Sequence, residues 1–133
     1  MTFDNDNAAQ TAADGVPRAA RRRVIVETPF AGDVATNLAY ARAALRDCLE
    51  RGEAPFASHL LYAQPGVLDD TDPPQRRVGI EAGLAWGQAA EATVVYIDRG
   101  VSVGMRLGIA RALADRRPVE MRNLPEWREP EGG

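Results

Sequence analysis

Thr93–Val94–Val95–Tyr96–Ile97–Asp98 is followed by Arg99–Gly100–Val101–Ser102–Val103–Gly104, and then by a helical pattern that runs to Ala114. The first six residues read as a strand buried on both faces, because β-branched and aromatic side chains follow one another without polar alternation. Asp98 stands at its carboxyl end. Glycine and serine then make a turn, and Met105, Leu107, Ile109, Ala112 and Leu113 supply the apolar positions of a helix from about Val103. Arg116–Arg117–Pro118 closes that helix, and Val119–Glu120–Met121 reads as a last strand.

Upstream the same alternation repeats. Val24–Ile25–Val26 is a second short β-branched run, and it leads into the loop Glu27–Thr28–Pro29–Phe30–Ala31–Gly32–Asp33. Asp33 is a helix N-cap candidate. Val34, Leu38, Ala41, Leu45, Cys48 and Leu49 recur at helical spacing, and Gly52 ends the helix. A short strand is expected near Ala54–Ala57, then a loop from Gln64 to Asp72. Asp72–Pro73–Pro74–Gln75 offers an N-cap, a proline at the first helical position and a glutamine at the third, so a helix should run to about Ala89. Strands alternating with helices predict an α/β fold: a Rossmann-like (flavodoxin-like) parallel sheet with flanking helices. Such sheets bind ligands outside the carboxyl ends of their strands. That rule selects the loops Thr28–Asp33, Ser58–Asp72 and Asp98–Gly104.

The chain has 133 residues, enough for one domain and one core. A tail over residues 1–22, rich in Ala, Asp and Asn, is expected to be disordered; the domain spans 23–124, and 125–133 reads as a frayed end around Trp127. With a net charge of −3, the protein is not expected to coat duplex nucleic acid, and Arg21–Arg22–Arg23 reads as a solvated charge run. No apolar run approaches the roughly 20 residues that cross a bilayer, and the polar N-terminus does not resemble a signal peptide, so a cytoplasmic location is expected. A single cysteine and a single histidine leave no multi-cysteine or histidine-rich metal centre, and no cofactor is expected.

Several residues can carry chemistry. Ser102 and Gly104 open a helix after a strand, where free N–H groups and the helix dipole favour an anion such as a phosphate. The run lacks the Gly-Lys-Ser/Thr of the triphosphate loop and the glycine spacing of the dinucleotide fingerprint. Asp98 can accept from a sugar hydroxyl or give a proton. Glu81, between Gly79 and Gly83, is either a carboxylate reached by a close-packed ligand or the partner of Arg77 four residues earlier. His59 can act as general acid or base, or as a hydrogen-bonded structural residue. Phe30, Tyr40 and Tyr62 can stack on a base or fill the core. Cys48 lies on an apolar helix face and reads as core.

Tyr96–Ile97–Asp98 followed by Ser102–Val103–Gly104–Met105–Arg106–Leu107–Gly108–Ile109–Ala110–Arg111–Ala112 resembles the nucleoside 2-deoxyribosyltransferase-like superfamily, and Pro29–Phe30–Ala31–Gly32 with Asn37 is similar to its first strand–loop–helix. Ser58–His59–Leu60, Gly79–Ile80–Glu81–Ala82–Gly83–Leu84–Ala85–Trp86 and Ser102–Val103–Gly104–Met105 look similar to a small bacterial and phage branch of it. The resemblance covers about Val24 to Leu124. It implies a nucleoside or nucleotide ligand, N-glycosidic cleavage or transfer, and a homo-oligomer. The implied ligand contacts are Phe30, Gly32, Asn37, Tyr62, Arg76, Ser102, Gly104 and Met105. Arg77, Arg99 and Arg106 are further phosphate candidates. The superfamily's nucleophilic glutamate falls on Gly108 here. Two outcomes stay open: Glu81, Asp98 or His59 carries the catalysis, or the domain senses or sequesters a nucleotide without cleaving it.

Overall fold

A computed structural model describes residues 21–131. The chain runs through strand β1 (Arg23–Glu27), helix α1 (Val34–Glu50), strand β2 (Ala54–Phe56), the one-turn helix α2 (Ser58–Leu61), helix α3 (Pro73–Gly87), strand β3 (Ala92–Tyr96), helix α4 (Val103–Ala114) and strand β4 (Val119–Arg122). The strands form one sheet in the order β2-β1-β3-β4, and every pairing is parallel. The architecture is therefore α/β with flanking helices. The strand order reverses between β1 and β3, the kind of place where open α/β sheets leave a crevice. The tail expected to be disordered lies, up to residue 20, outside the described residues.

One face of the sheet carries Val24, Val26, Ala92, Val94 and Tyr96 against Tyr40, Ala44 and Cys48 of α1, and this is the core. Asp33 caps α1 as its sequence predicts, accepting from the Thr36 N–H at 3.2 Å and the Thr36 hydroxyl at 2.7 Å. The buried stripe of α1 is Asn37, Tyr40, Ala41, Ala44 and Cys48, while Val34 and Leu49 are exposed. The stripe is displaced from the purely apolar positions because Tyr40 and Asn37 find hydrogen-bond partners inside. Cys48 is fully buried, and burial pushes its thiol up to about 11, so it is a core residue.

Beneath α1 runs a polar network. Arg122 at the end of β4 donates to both carboxylate oxygens of Glu53 at 2.8 and 2.7 Å, and to Glu120 and the Tyr96 hydroxyl. Arg22 also pairs with Glu53 and Glu120, Arg23 pairs with Glu91, and Arg21 donates to the Glu53 carbonyl at 2.8 Å, so these basic residues at the start of the domain hold to their own chain.

The segment after β4 does not fray. Leu124 is buried, and Trp127 meets Tyr40 edge-on with ring centres 4.9 Å apart. Glu129 accepts from the Trp127 indole at 2.6 Å and pairs with Arg99. An aromatic ring with a polar edge is the reason: it covers α1 while its N–H still finds a partner.

The other face of the sheet presents Ile25 and Glu27 toward α3 and α4. Helix α3 stands off from it: Gly87 is its only buried residue. Asp72 occupies the N-cap, but its side chain makes no capping bond. Pro74 removes one of the N–H groups it would serve. Gln75 turns outward from the helix to accept from the Asp69 N–H at 2.8 Å.

Candidate functional site

The space left between α3 and the sheet is a cavity of about 80 Å³, lined by Glu27, Phe56, Ser58, His59, Asp70, Arg76, Ile80, Gly83, Leu84, Gly104, Leu107 and Gly108 among others. Glu27 and Phe56, the last residues of β1 and β2, stand in its wall. A wider groove of about 510 Å³ continues it, lined by Phe30, Gly32, Val34, Thr71, Pro73 and Arg77. Asp70, Arg76 and Ile80 border both spaces. Ligand sites for small organic molecules are typically ~300–1,000 Å³, so a ligand of that size must divide itself between chamber and groove.

His59 faces the chamber and Phe30 the groove, and their rings stack with centres 4.7 Å apart and planes 21° from parallel. Burial lowers the His59 pKa; Asp70 opposes this and Arg76 adds to it. The ring is therefore neutral at pH 7, and its nitrogens make no hydrogen bond among the described residues. A neutral imidazole keeps one donor and one acceptor for a ligand. Glycines set the spacing of the walls. A β-carbon on Gly83 would lie 3.2 Å from the Ser58 Cβ, so α3 approaches α2 this closely only without a side chain there.

Glu27 is a half-buried carboxyl in the chamber wall. It ends β1, and its neighbours are Ile25 below, Gly108 of α4 and, as the nearest strong charge, Arg117. Its carboxyl makes no hydrogen bond among the described residues. Burial pushes its pKa up to about 8, against a smaller lowering by Arg117. At pH 7 the group is mostly protonated, so it can donate. The carboxyl occupies the space that a side chain at residue 108 would need: a β-carbon there would sit 2.1 Å from Oε2 and 2.4 Å from Cδ, so the carboxyl would have to move.

The sequence-selected residues separate into those the fold gathers and those it does not. His59, Arg76 and Gly104 line the chamber, and Phe30 and Gly32 line the groove. Tyr62 borders a side pocket that shares Ser58, His59, Asp70 and Ile80 with the chamber. Asn37 holds the β1–α1 loop, donating to the carbonyls of Phe30 and Ala31 at 2.9 and 3.1 Å and accepting from Arg99 at 2.9 Å. Ser102 and Met105 serve their own helix: the Ser102 hydroxyl accepts from the Met105 N–H at 3.2 Å, and Met105 is buried. Asp98 turns toward α1, accepting from the Tyr40 hydroxyl at 2.6 Å and from the Leu124 N–H at 2.9 Å. Glu81 is exposed on α3, outside chamber and groove. The sequence reading put Glu27 in the loop after the first strand, whereas it is the last residue of β1. The available signal was its spacing, two residues after Ile25, which puts a carboxyl on a sheet face that helices cover.

Among the described residues, no cluster of His, Cys, Asp and Glu is arranged to hold a metal ion, and no helix is long and apolar enough to cross a membrane. Residues 22–122 match the family described as a domain of unknown function (DUF7768), and the chain belongs to that family. Comparison with curated proteins finds no match.

Proposed function

We propose that the domain is of the Rossmann-like, nucleoside 2-deoxyribosyltransferase-like kind, that its cleft binds a nucleoside or nucleotide, and that it cleaves the N-glycosidic bond. The observation that carries this reading is the division of the cleft around the stacked Phe30 and His59 rings. The chamber is mostly apolar, with Phe56, Ile80, Leu84 and Leu107 in its walls and a protonated carboxyl at its end. That suits a flat, weakly basic heterocycle. Arg76 at the shared border and Arg77 in the groove suit a phosphate. The sugar then lies between them, beside His59 and Asp70. Departure of a base requires a proton for its nitrogen, and the positive charge at the anomeric carbon requires a nearby carboxylate. Glu27 and Asp70 are of these two types.

The working form in this reading is a homo-oligomer. Val78 and Trp86 of α3 are 55% and 56% exposed, and Val103 and Leu107 of α4 are 82% and 49% exposed. Apolar side chains left open on both helices that border the cleft support a second subunit there.

The reading is tested by a panel of purine and pyrimidine nucleosides and their 5′-monophosphates, monitored together for thermal stabilisation and for free base by chromatography. Stabilisation with base release is the expected result. Stabilisation without release leaves a sensor or sequestering domain, and neither response from any compound removes the reading.

A further inference from the structure

We propose that Glu27 is the proton donor to the departing base, a role that rests on the N-glycoside reading above. Three geometric facts support it. The side chain ends at the cavity, not in a salt bridge. No group among the described residues hydrogen-bonds its carboxyl, so both oxygens are free for a ligand. The backbone of α4 is cut away for it at Gly108, where any β-carbon would fall 2.1 Å from Oε2. A carboxyl that lines a largely apolar chamber and bonds to no protein group is placed to serve a ligand. A structural acid would have been paired with Arg117, which instead donates to Thr93 at 3.0 Å and to the Gly87 carbonyl at 2.9 Å.

The step balances with water as the only co-reactant. The Glu27 proton passes to a ring nitrogen of the base while the bond from the anomeric carbon to nitrogen breaks, and that electron pair leaves with the base. A water oxygen bonds to the anomeric carbon, and the proton it sheds returns to the Glu27 carboxylate. One water is consumed; free base and a sugar hydroxyl are formed. The protonation of Glu27 at neutral pH follows from its burial, with Arg117, His59, Asp70 and Arg76 as the titratable or charged groups that line the same chamber.

The experiment compares wild type, Glu27→Gln and Gly108→Ala for nucleotide affinity by calorimetry and for base release across pH 5–9. Glutamine keeps the shape and the ability to donate a hydrogen bond but cannot transfer a proton. The expected result is affinity within about threefold of wild type and base release reduced roughly 10²–10⁴-fold, the usual range for general acid catalysis. The wild-type kcat should fall as pH rises through the region of pH 8, and that limb should be missing from the residual rate of Glu27→Gln. Gly108→Ala should lose rate with Glu27 still present, because its methyl group displaces the carboxyl. A Glu27→Gln protein that releases base at the full rate overturns the role of Glu27 and leaves the nucleoside reading intact. A wild type that binds nucleotides but releases no base overturns it as well, leaving binding alone. A wild type that binds none overturns both.

Discussion

Tyr40 and Asp98 exchange two hydrogen bonds across the junction of α1 with the end of β3: the phenol donates to Asp98 Oδ1 at 2.6 Å and accepts from the Asp98 N–H at 2.8 Å. Burial, together with the bond to Asp98, raises the Tyr40 pKa. The same carboxylate holds the Leu124 N–H, and so anchors the C-terminal segment. Tyr40→Phe removes a buried hydroxyl and leaves the Asp98 N–H without its acceptor. The expected loss is about 1–3 kcal/mol, read as a lower urea midpoint at unchanged slope. A midpoint equal to that of wild type would show that this pair of bonds adds nothing to the stability of the fold.

Stability should fall as pH rises from about 6.5 to about 8. The folded Glu27 has a pKa near 8 against an ordinary 4.5, so between those values the folded state holds a proton that the unfolded state has lost, and folding weakens with pH. His59 acts in the other sense. Its folded pKa lies below its ordinary 6.5, so its contribution is complete above that value and declines only on acidification. The window from 6.5 to 8 therefore belongs to Glu27, with a ceiling of about 1.4 kcal/mol per pH unit for one proton. Glu27→Gln should flatten this part of a urea-midpoint profile; an unchanged slope in the variant would assign it elsewhere.

Gly104 lines the chamber, and a β-carbon there would meet nothing nearer than the Ser102 hydroxyl at 3.9 Å. Gly104→Glu should fold with a melting temperature close to that of wild type. Its side chain would fill the chamber that the reading gives to the base. Calorimetry should show nucleotide binding lost; binding at wild-type affinity would put the ligand away from the start of α4.

Static light scattering at micromolar concentration should give a mass at least twice that of one chain. Val103→Glu and Leu107→Glu together should shift it toward the monomer, since both side chains are open on α4. A wild-type mass of one chain would remove the second subunit from the reading.

The sheet and its helices were legible because Val24–Val26 and Thr93–Ile97 lack polar alternation, and because Asp33, Gly52 and Ser102 punctuate the helices with known chemistry. The loops after β1 and β2 that the strand-end rule selects carry Phe30 and His59 to one cleft, where Arg76 of α3 joins them. What sequence could not supply was depth. The pattern of α3 does not say how far the helix stands from the sheet, and that distance makes the chamber. Gly108, read along the chain, is a missing carboxylate; in space it is the room occupied by Glu27. Asp98 ends the clearest strand, yet its direction was fixed by Tyr40, a contact 58 residues away. Trp127 looked like part of a loose end because nothing local predicts that it covers Tyr40.

The pairing of Glu53 with Arg122 spans 69 residues and joins the residue that leads into β2 with the last residue of β4, strands at opposite edges of the sheet. A nascent chain cannot form it until almost the entire domain has been synthesised. Until then Glu53 would lie beneath α1 without its bidentate partner, a carboxylate that disfavours burial. The early strands thus gain their final packing only when the last strand arrives. Any truncation ahead of Arg122 should leave the whole domain unfolded rather than shortened.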